Sequence, residues 1–223
     1  MHPLKKIALE WAQILAGLAV FALGVHFTMH ADIGIAPWDC LAEGIAKHTE
    51  LNYGLAMTSV SLVCLLIDFI MGERIGFGTV IDALLTGNLV QLFETIDPLP
   101  ANDGAAKIPI GIAFILGGLT LMALGQRIYM GSAQCCGPKD SLLVGLGKRL
   151  RKLPIGVVEI MLWSIVLLGG WLLGGRVGIG TLVTTFGGGL VMLVVYKIIR
   201  FEPRDVRHRG VVEVVREMKG NTG

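Results

Sequence analysis

The chain has 223 residues, of which 53% are apolar and only 16% charged, with a mean hydropathy of +0.70. Soluble domains carry roughly 45–50% apolar and about 25% charged residues, so this composition excludes an ordinary soluble protein. A net charge of +2 leaves no electrostatic footprint for nucleic acid, and no nucleic-acid partner is expected.

A bilayer core of about 30 Å takes roughly 20 apolar residues of helix to cross. The first such stretch runs from Ile7 to Met29 behind Lys5 and Lys6. It exceeds the apolar core of about 7–15 residues of a signal peptide and no cleavage site follows, so it is expected to be retained as a span. The loop "DIGIAPWDC", Asp32 to Cys40, leads into a short segment, Asp39 to Thr49, and a second span covers Tyr53 to Gly72. The turn "GERIGFGT", Gly72 to Thr79, joins it to the third span, Thr79 to Phe93, the shortest, which carries Asp82 and Asn88. An acidic, proline-containing linker, "ETIDPLPANDGAAK", precedes the fourth span, Ile108 to Tyr129. The loop "SAQCCGPKD", Ser132 to Asp140, and a short segment to Leu150 lead to the fifth span, Ile155 to Gly174. The turn "GGRVGIGT", Gly174 to Thr181, opens the sixth, Thr181 to Ile199, and an arginine-rich tail closes the chain.

The two turns share the pattern G-x-R-x-G-x-G-T at a separation of 102 residues. At an offset of 101, Pro37, Asp39, Leu41, Gly44 and Lys47 meet Pro138, Asp140, Leu142, Gly145 and Lys148. The chain is therefore a duplication: residues 1–96 and 108–199 are two membrane repeats, 97–107 an external linker and 200–223 a basic cytoplasmic tail. Three spans per repeat make the second copy enter the membrane from the opposite side. With both termini cytoplasmic, 16 of the 19 Lys and Arg fall inside and only Lys47, Lys107 and Arg176 outside, as the positive-inside rule requires. The expected fold is all-α, a multi-pass transmembrane bundle of two inverted repeats, each of three spans and one short re-entrant or interfacial helix. The competing arrangement, eight spans in parallel repeats, asks each short segment to cross the bilayer with a helix of only about 16 Å.

A glycine run cradles phosphate only between a strand and a helix. Both turns here lie between apolar spans, which predicts tight helical hairpins. The glycines of the two turns, Gly76, Gly78, Gly178 and Gly180 among them, are expected to let the backbone take positive φ and turn sharply, Thr79 and Thr181 to cap the next helix, and Arg74 and Arg176 to face lipid headgroups.

The two loops carry the candidate substrate site: Pro37, Trp38, Asp39 and Cys40 facing Cys135, Cys136, Pro138, Lys139 and Asp140. Proline suits the first turn of a helix and aspartate there complements the dipole, so Asp39 and Asp140 read first as caps and second as solute or proton ligands. If the segments re-enter the membrane, backbone amides at 34–38 and 135–139 form two facing donor sets suited to an anionic or strongly hydrogen-bonding solute. Trp38 would pack on that solute and Lys139 would pair with its charge or reach for lipid phosphate. Ionisable groups at membrane depth default to function: Asp82, Asn88 and Glu159 are candidates for coupling-ion or proton work, while Asp68, Glu159 and His26 lie about a turn from their span ends, within reach of the interface. The cysteines Cys40, Cys64, Cys135 and Cys136 have no zinc spacing and read as small apolar residues. No metal motif, nucleophile–base arrangement or dinucleotide fingerprint is present, so neither cofactor nor enzymatic activity is expected.

The duplicated unit, "GIAPWD" after the first span and "GxRxGxGT" between later ones resemble the YczE/YyaS/YitT group of bacterial integral membrane proteins, most closely its YczE-type branch. The resemblance covers nearly all of the chain except the tail and implies a multi-pass protein of the bacterial cytoplasmic membrane; it supplies no substrate. The leading expectation is a small secondary transporter or exporter of a small organic solute, with the lipid bilayer and that solute as partners and self-association open. The alternative is a membrane scaffold that acts on a partner through its tail.

Overall fold

The computed structural model describes residues 3–73, 75–97, 99–103, 106–132, 137–153 and 155–200. Arg74, Cys135, Cys136 and the tail from residue 201 onward lie outside the described residues. The described residues form eight α-helices and no strand: α1 (Pro3–His30), α2 (Pro37–His48), α3 (Tyr53–Met71), α4 (Phe77–Ile96), α5 (Lys107–Met130), α6 (Pro138–Arg149), α7 (Ile155–Leu172) and α8 (Ile179–Ile198).

Four of these are long and apolar enough to cross a membrane: Ala8–His30, Tyr53–Met71, Lys107–Met130 and Ile179–Ile198. The third and fifth expected spans, α4 and α7, fall short for different reasons. α4 has 20 residues but includes Asp82, Asn88, Gln91 and Glu94, while the apolar stretch of α7, Val157–Leu172, is short. Large apolar side chains cover the outside of the bundle. On α8 they recur every fourth residue, at Leu182, Phe186, Leu190, Val194 and Ile198. A continuous apolar face of this kind needs lipid rather than water as its solvent.

α1 and α5 form the central pair. Gly17 lies against Gly125 and Tyr129, and Gly24 lies against Gly118 and Met122, so the two helices run antiparallel at backbone contact. A Cβ on Gly24 would stand 2.6 Å from the Gly118 carbonyl oxygen, and one on Gly125 would stand 2.5 Å from the Phe21 nitrogen. Small residues permit this approach in membranes, where packing must replace the hydrophobic effect. Gly125→Leu is therefore expected to separate the pair and cost about 1–3 kcal/mol, read as a lower melting temperature of the detergent-solubilised chain; an unchanged value would contradict the close contact.

Around that pair, α4 packs on α1 and α8 on α5, while α2 packs against α3 and α7 and α6 against the same two helices. One face of each short helix is thus buried against protein, while the C-terminal ends stay exposed at Lys47, His48, Lys148 and Arg149. Each begins with proline at its first position, where a missing N–H leaves no orphan donor. The caps are Ala36 and Gly137 without side-chain hydrogen bonds. Asp39 and Asp140, three residues further on, do not cap, because their carboxylates are engaged by side chains of neighbouring helices.

The glycine-rich turns divide the expected roles among their glycines. Positive φ occurs at Gly72 and Gly174, the first glycine of each motif, and not at Gly76 or Gly178, which are extended and serve as helix N-caps. Gly78 and Gly180 already belong to the following helices. Thr181 caps α8 through its hydroxyl as expected, from the first turn of the helix: its Oγ1 reaches back to accept the Gly178 amide at 3.2 Å, as in a capping box.

Candidate functional site

Two sequence motifs from opposite halves meet at one end of the bundle. After α1, Asp32 and Gly34 take positive φ, which folds the loop back towards the α7–α8 turn. There the Gly180 amide donates to the Ile33 carbonyl at 2.7 Å and the Ile35 amide donates to the Arg176 carbonyl at 3.5 Å. A Cβ on Gly34 would lie 2.6 Å from the Gly178 nitrogen, so both chains must be glycine here. The glycine run from Gly174 to Thr181 therefore receives a peptide loop.

Ionic groups brace this junction. Arg176 donates its backbone amide and its Nε to the Glu43 carboxylate, both at 2.7 Å, and its NH1 to Asp32 at 2.8 Å. Lys107 reaches Asp32 at 2.6 Å, and Lys47 donates to the Gly174 carbonyl at 2.7 Å. Arg176 thus takes acidic partners from the other half of the chain, while its side chain stays 40% exposed. The Lys107 hydrogen bond holds the Asp32 carboxyl below its ordinary value, with Arg176 adding to the effect against partial desolvation. Arg176, although its burial acts the other way, is pushed above its ordinary value by Glu43 and Asp32.

Below the junction the N-termini of α2 and α6 converge. Pro37, Asp39 and Cys40 are buried and Trp38 is half-buried. The Tyr53 hydroxyl, at the start of α3, donates to Asp39 at 3.0 Å. From the other half, the Lys139 ammonium stands 5.5 Å from the centre of the Trp38 ring and 3.1 Å from the Met57 sulfur. Pro138 is buried beside it, and Asp140 accepts from Gln126 at 3.0 Å, whose amide oxygen accepts from Tyr196 at 2.7 Å. Asp82 of α4 accepts from Thr86 and flanks Gly137 together with Asp140. Lys139 is the counter-charge to Asp39, Asp82 and Asp140, and Glu159 adds negative charge within reach of Asp140.

The fold thus gathers Trp38, Asp39, Asp82 and Asp140 around the Lys139 ammonium, while Glu159 acts on Asp140 and not on Lys139. Asn88 lies apart: it is exposed and donates to the Leu84 carbonyl of its own helix at 2.7 Å and to Thr58 at 3.4 Å. Asp68 does not reach the interface but is fully buried, and its carboxylate oxygens have no hydrogen-bond partner among the described residues. Nor does His26 extend outward; it is 2% exposed and belongs to a separate cluster with His30, Glu94 and Asp97. Cys40 and Cys64 are free and buried. Tyr53, Met57, Gln126 and Tyr196 were not singled out in the sequence; only Gln126, an amide inside an apolar span, carried a signal comparable to that of Asn88.

Comparison with known proteins gives a family but no activity. A family of unknown function, DUF6198, matches residues 8–197. An uncharacterized protein of Haemophilus influenzae is 29% identical over 83% of both chains. Two proteins of Bacillus subtilis, the uncharacterized membrane protein YczE and the uncharacterized protein YyaS, are 26% and 28% identical, over 84% and 87% of this chain and 86% and 96% of theirs. No solved structure matches. With nearly the whole described bundle inside the family match, the chain belongs to the DUF6198 family and is a membrane protein of the YczE/YyaS type.

Proposed function

We propose that the protein is a small secondary transporter of the bacterial cytoplasmic membrane, built from two inverted three-span repeats whose short helices re-enter the membrane, with both termini inside. The antiparallel α1–α5 pair supports the inversion. Gly17 and Gly24 are the sequence equivalents of Gly118 and Gly125, and the contacts Gly17–Gly125 and Gly24–Gly118 exchange under that equivalence, as a two-fold axis in the membrane plane requires. The packing of α2 on α7 and of α6 on α3 follows the same exchange. Inverted repeats that meet at partial helices are a common build of secondary transporters, with the site between them.

The observation that carries the proposal is the meeting of Trp38 and Asp39 from one half with Lys139 and Asp140 from the other. Around Lys139, carboxylates outnumber the ammonium, which favours a solute bearing positive charge, or protons, over an anion. Backbone donors on the α2 side are in part committed already: Ile35 to Arg176 and Cys40 to Ala36. In this reading Lys139 is a tethered cation that an amine-bearing solute displaces from the Trp38 face and the carboxylates, so that loading is an exchange of one cation for another.

The test is labelling of Cys40 in a chain whose Cys64, Cys135 and Cys136 are replaced by serine. Cys40 is packed against Gly170 and Gly175, so it reacts only when α2 parts from α7. Membrane-impermeant maleimide is expected to reach it in both right-side-out and inverted vesicles, with labelling suppressed by a small organic amine in wild type but not in Asp140→Asn. Labelling confined to one side would overturn alternating access and move the scaffold alternative ahead.

A further inference from the structure

The cluster at the far end of α1 has an unusual hydrogen-bond count. His26 Nδ1 lies 2.7 Å from Glu94 and its Nε2 3.3 Å from Asp97. His30 Nδ1 lies 2.6 Å from the other Asp97 oxygen and its Nε2 3.1 Å from the Pro100 carbonyl. All four ring nitrogens therefore face oxygen acceptors, whereas two neutral imidazoles carry only two N–H groups between them. Something positive must fill the remainder: two extra protons or a cation.

We propose that this is a binding site for a divalent cation of the zinc type, with His26 Nε2, His30 Nδ1 and an Asp97 oxygen as ligands. The candidate ligand atoms all lie within 4.8 Å of one another. Bonds of about 2.0–2.2 Å in a tetrahedral site place ligand atoms about 3.4 Å apart, close to the His26–Asp97 separation. The outer nitrogens supply the independent sign. Glu94 accepts from His26 Nδ1 and the Pro100 carbonyl from His30 Nε2, which fixes both tautomers with a lone pair aimed inward at Asp97. Metal-binding histidines are held in this way, by an oxygen behind the ring. Spacing of four residues puts both rings on one face of α1. The rings are buried against Phe93 and Phe114, and the linker is tied down alongside by Asn102, which donates to the Ala31 carbonyl at 2.6 Å.

The experiment uses the full chain in detergent with His2, His48 and His208 replaced by glutamine, stripped of metal and titrated with Zn2+ against a chromophoric chelator. One Zn2+ per chain is expected at neutral pH, weakened at least about 100-fold by His26→Gln or His30→Gln and about 10- to 100-fold by Glu94→Gln, whose carboxylate acts from behind the ring. Because a variant can fail to fold, zinc K-edge absorption of the unsubstituted chain gives a second readout: two imidazoles and oxygen donors are expected. No stoichiometric binding would overturn the proposal and leave protons as the missing charge. Binding that survives the double His26→Gln/His30→Gln change, or a spectrum with fewer than two imidazoles, would overturn it equally.

Discussion

Lys139→Met is expected to destabilise the purified chain by about 1 kcal/mol, since the ammonium is half-buried, rests 3.1 Å from the Met57 sulfur and acts on Asp39, Asp82 and Asp140 at longer range. Methionine keeps the length of the stem and the contact with Trp38, so the loss isolates the charge. Asp39, Asp82 and Asp140 all draw on that single ammonium, and nothing else described near them carries a positive charge that could take its place. Combining Lys139→Met with Asp140→Asn is expected to recover a large part of the loss, because the second change removes one of the carboxylates left uncompensated. A melting temperature of the single variant within error of wild type would show that the ammonium is not the keystone of this cluster. A double variant no more stable than the single would show that Lys139 and Asp140 are not coupled. Both results bear on transport: a cation that a solute displaces from its site must be held by attraction that the solute's own charge can replace.

Much of this arrangement was legible in the sequence because it repeats. Pro37 and Pro138, Asp39 and Asp140, and the two glycine-rich turns align at a constant offset, and local rules then give the start of each short helix. The partners of those residues were not legible, since they come from the opposite half. Arg176 reads as a headgroup ligand, and its acidic partner shows only once the loop after α1 brings Asp32 to it across 144 residues. Asp39 and Asp140 look like caps until Tyr53 and Gln126 engage them. The third span reads as weak because its hydropathy is low, and its polarity follows from Asp82, which belongs to the interior cluster. His26 and His30 stand four apart in plain view, yet a pair on one helix face means little until α4 delivers Glu94 and Asp97 to it. Composition and periodicity record which face of a helix is apolar; they do not record which distant helix its polar residues will meet.

Gly34→Ala is expected to cost far more than the same change at either turn glycine, Gly72 or Gly174. All three have positive φ, so alanine is strained by about 1–2 kcal/mol at each. Around Gly72 and Gly174, however, an added Cβ meets nothing within 4 Å, whereas at Gly34 it would stand 2.6 Å from the Gly178 nitrogen and 2.8 Å from Thr181 Oγ1. Backbone cannot yield as a flexible side chain does, so the loop and the turn must separate, adding about 1–3 kcal/mol of overpacking. The separation breaks the Gly180–Ile33 hydrogen bond and pulls Asp32 away from Arg176, weakening the strut between the loop before α2 and the α7–α8 turn. Cys40, sealed beneath that strut against Gly175, is then expected to react with maleimide several-fold faster than in the Gly72→Ala and Gly174→Ala controls. Equal stability losses at all three positions would mean that the loop does not bear on the turn in the folded membrane protein. A large loss without faster labelling would mean that the strut holds the fold together but does not guard the route to Asp39.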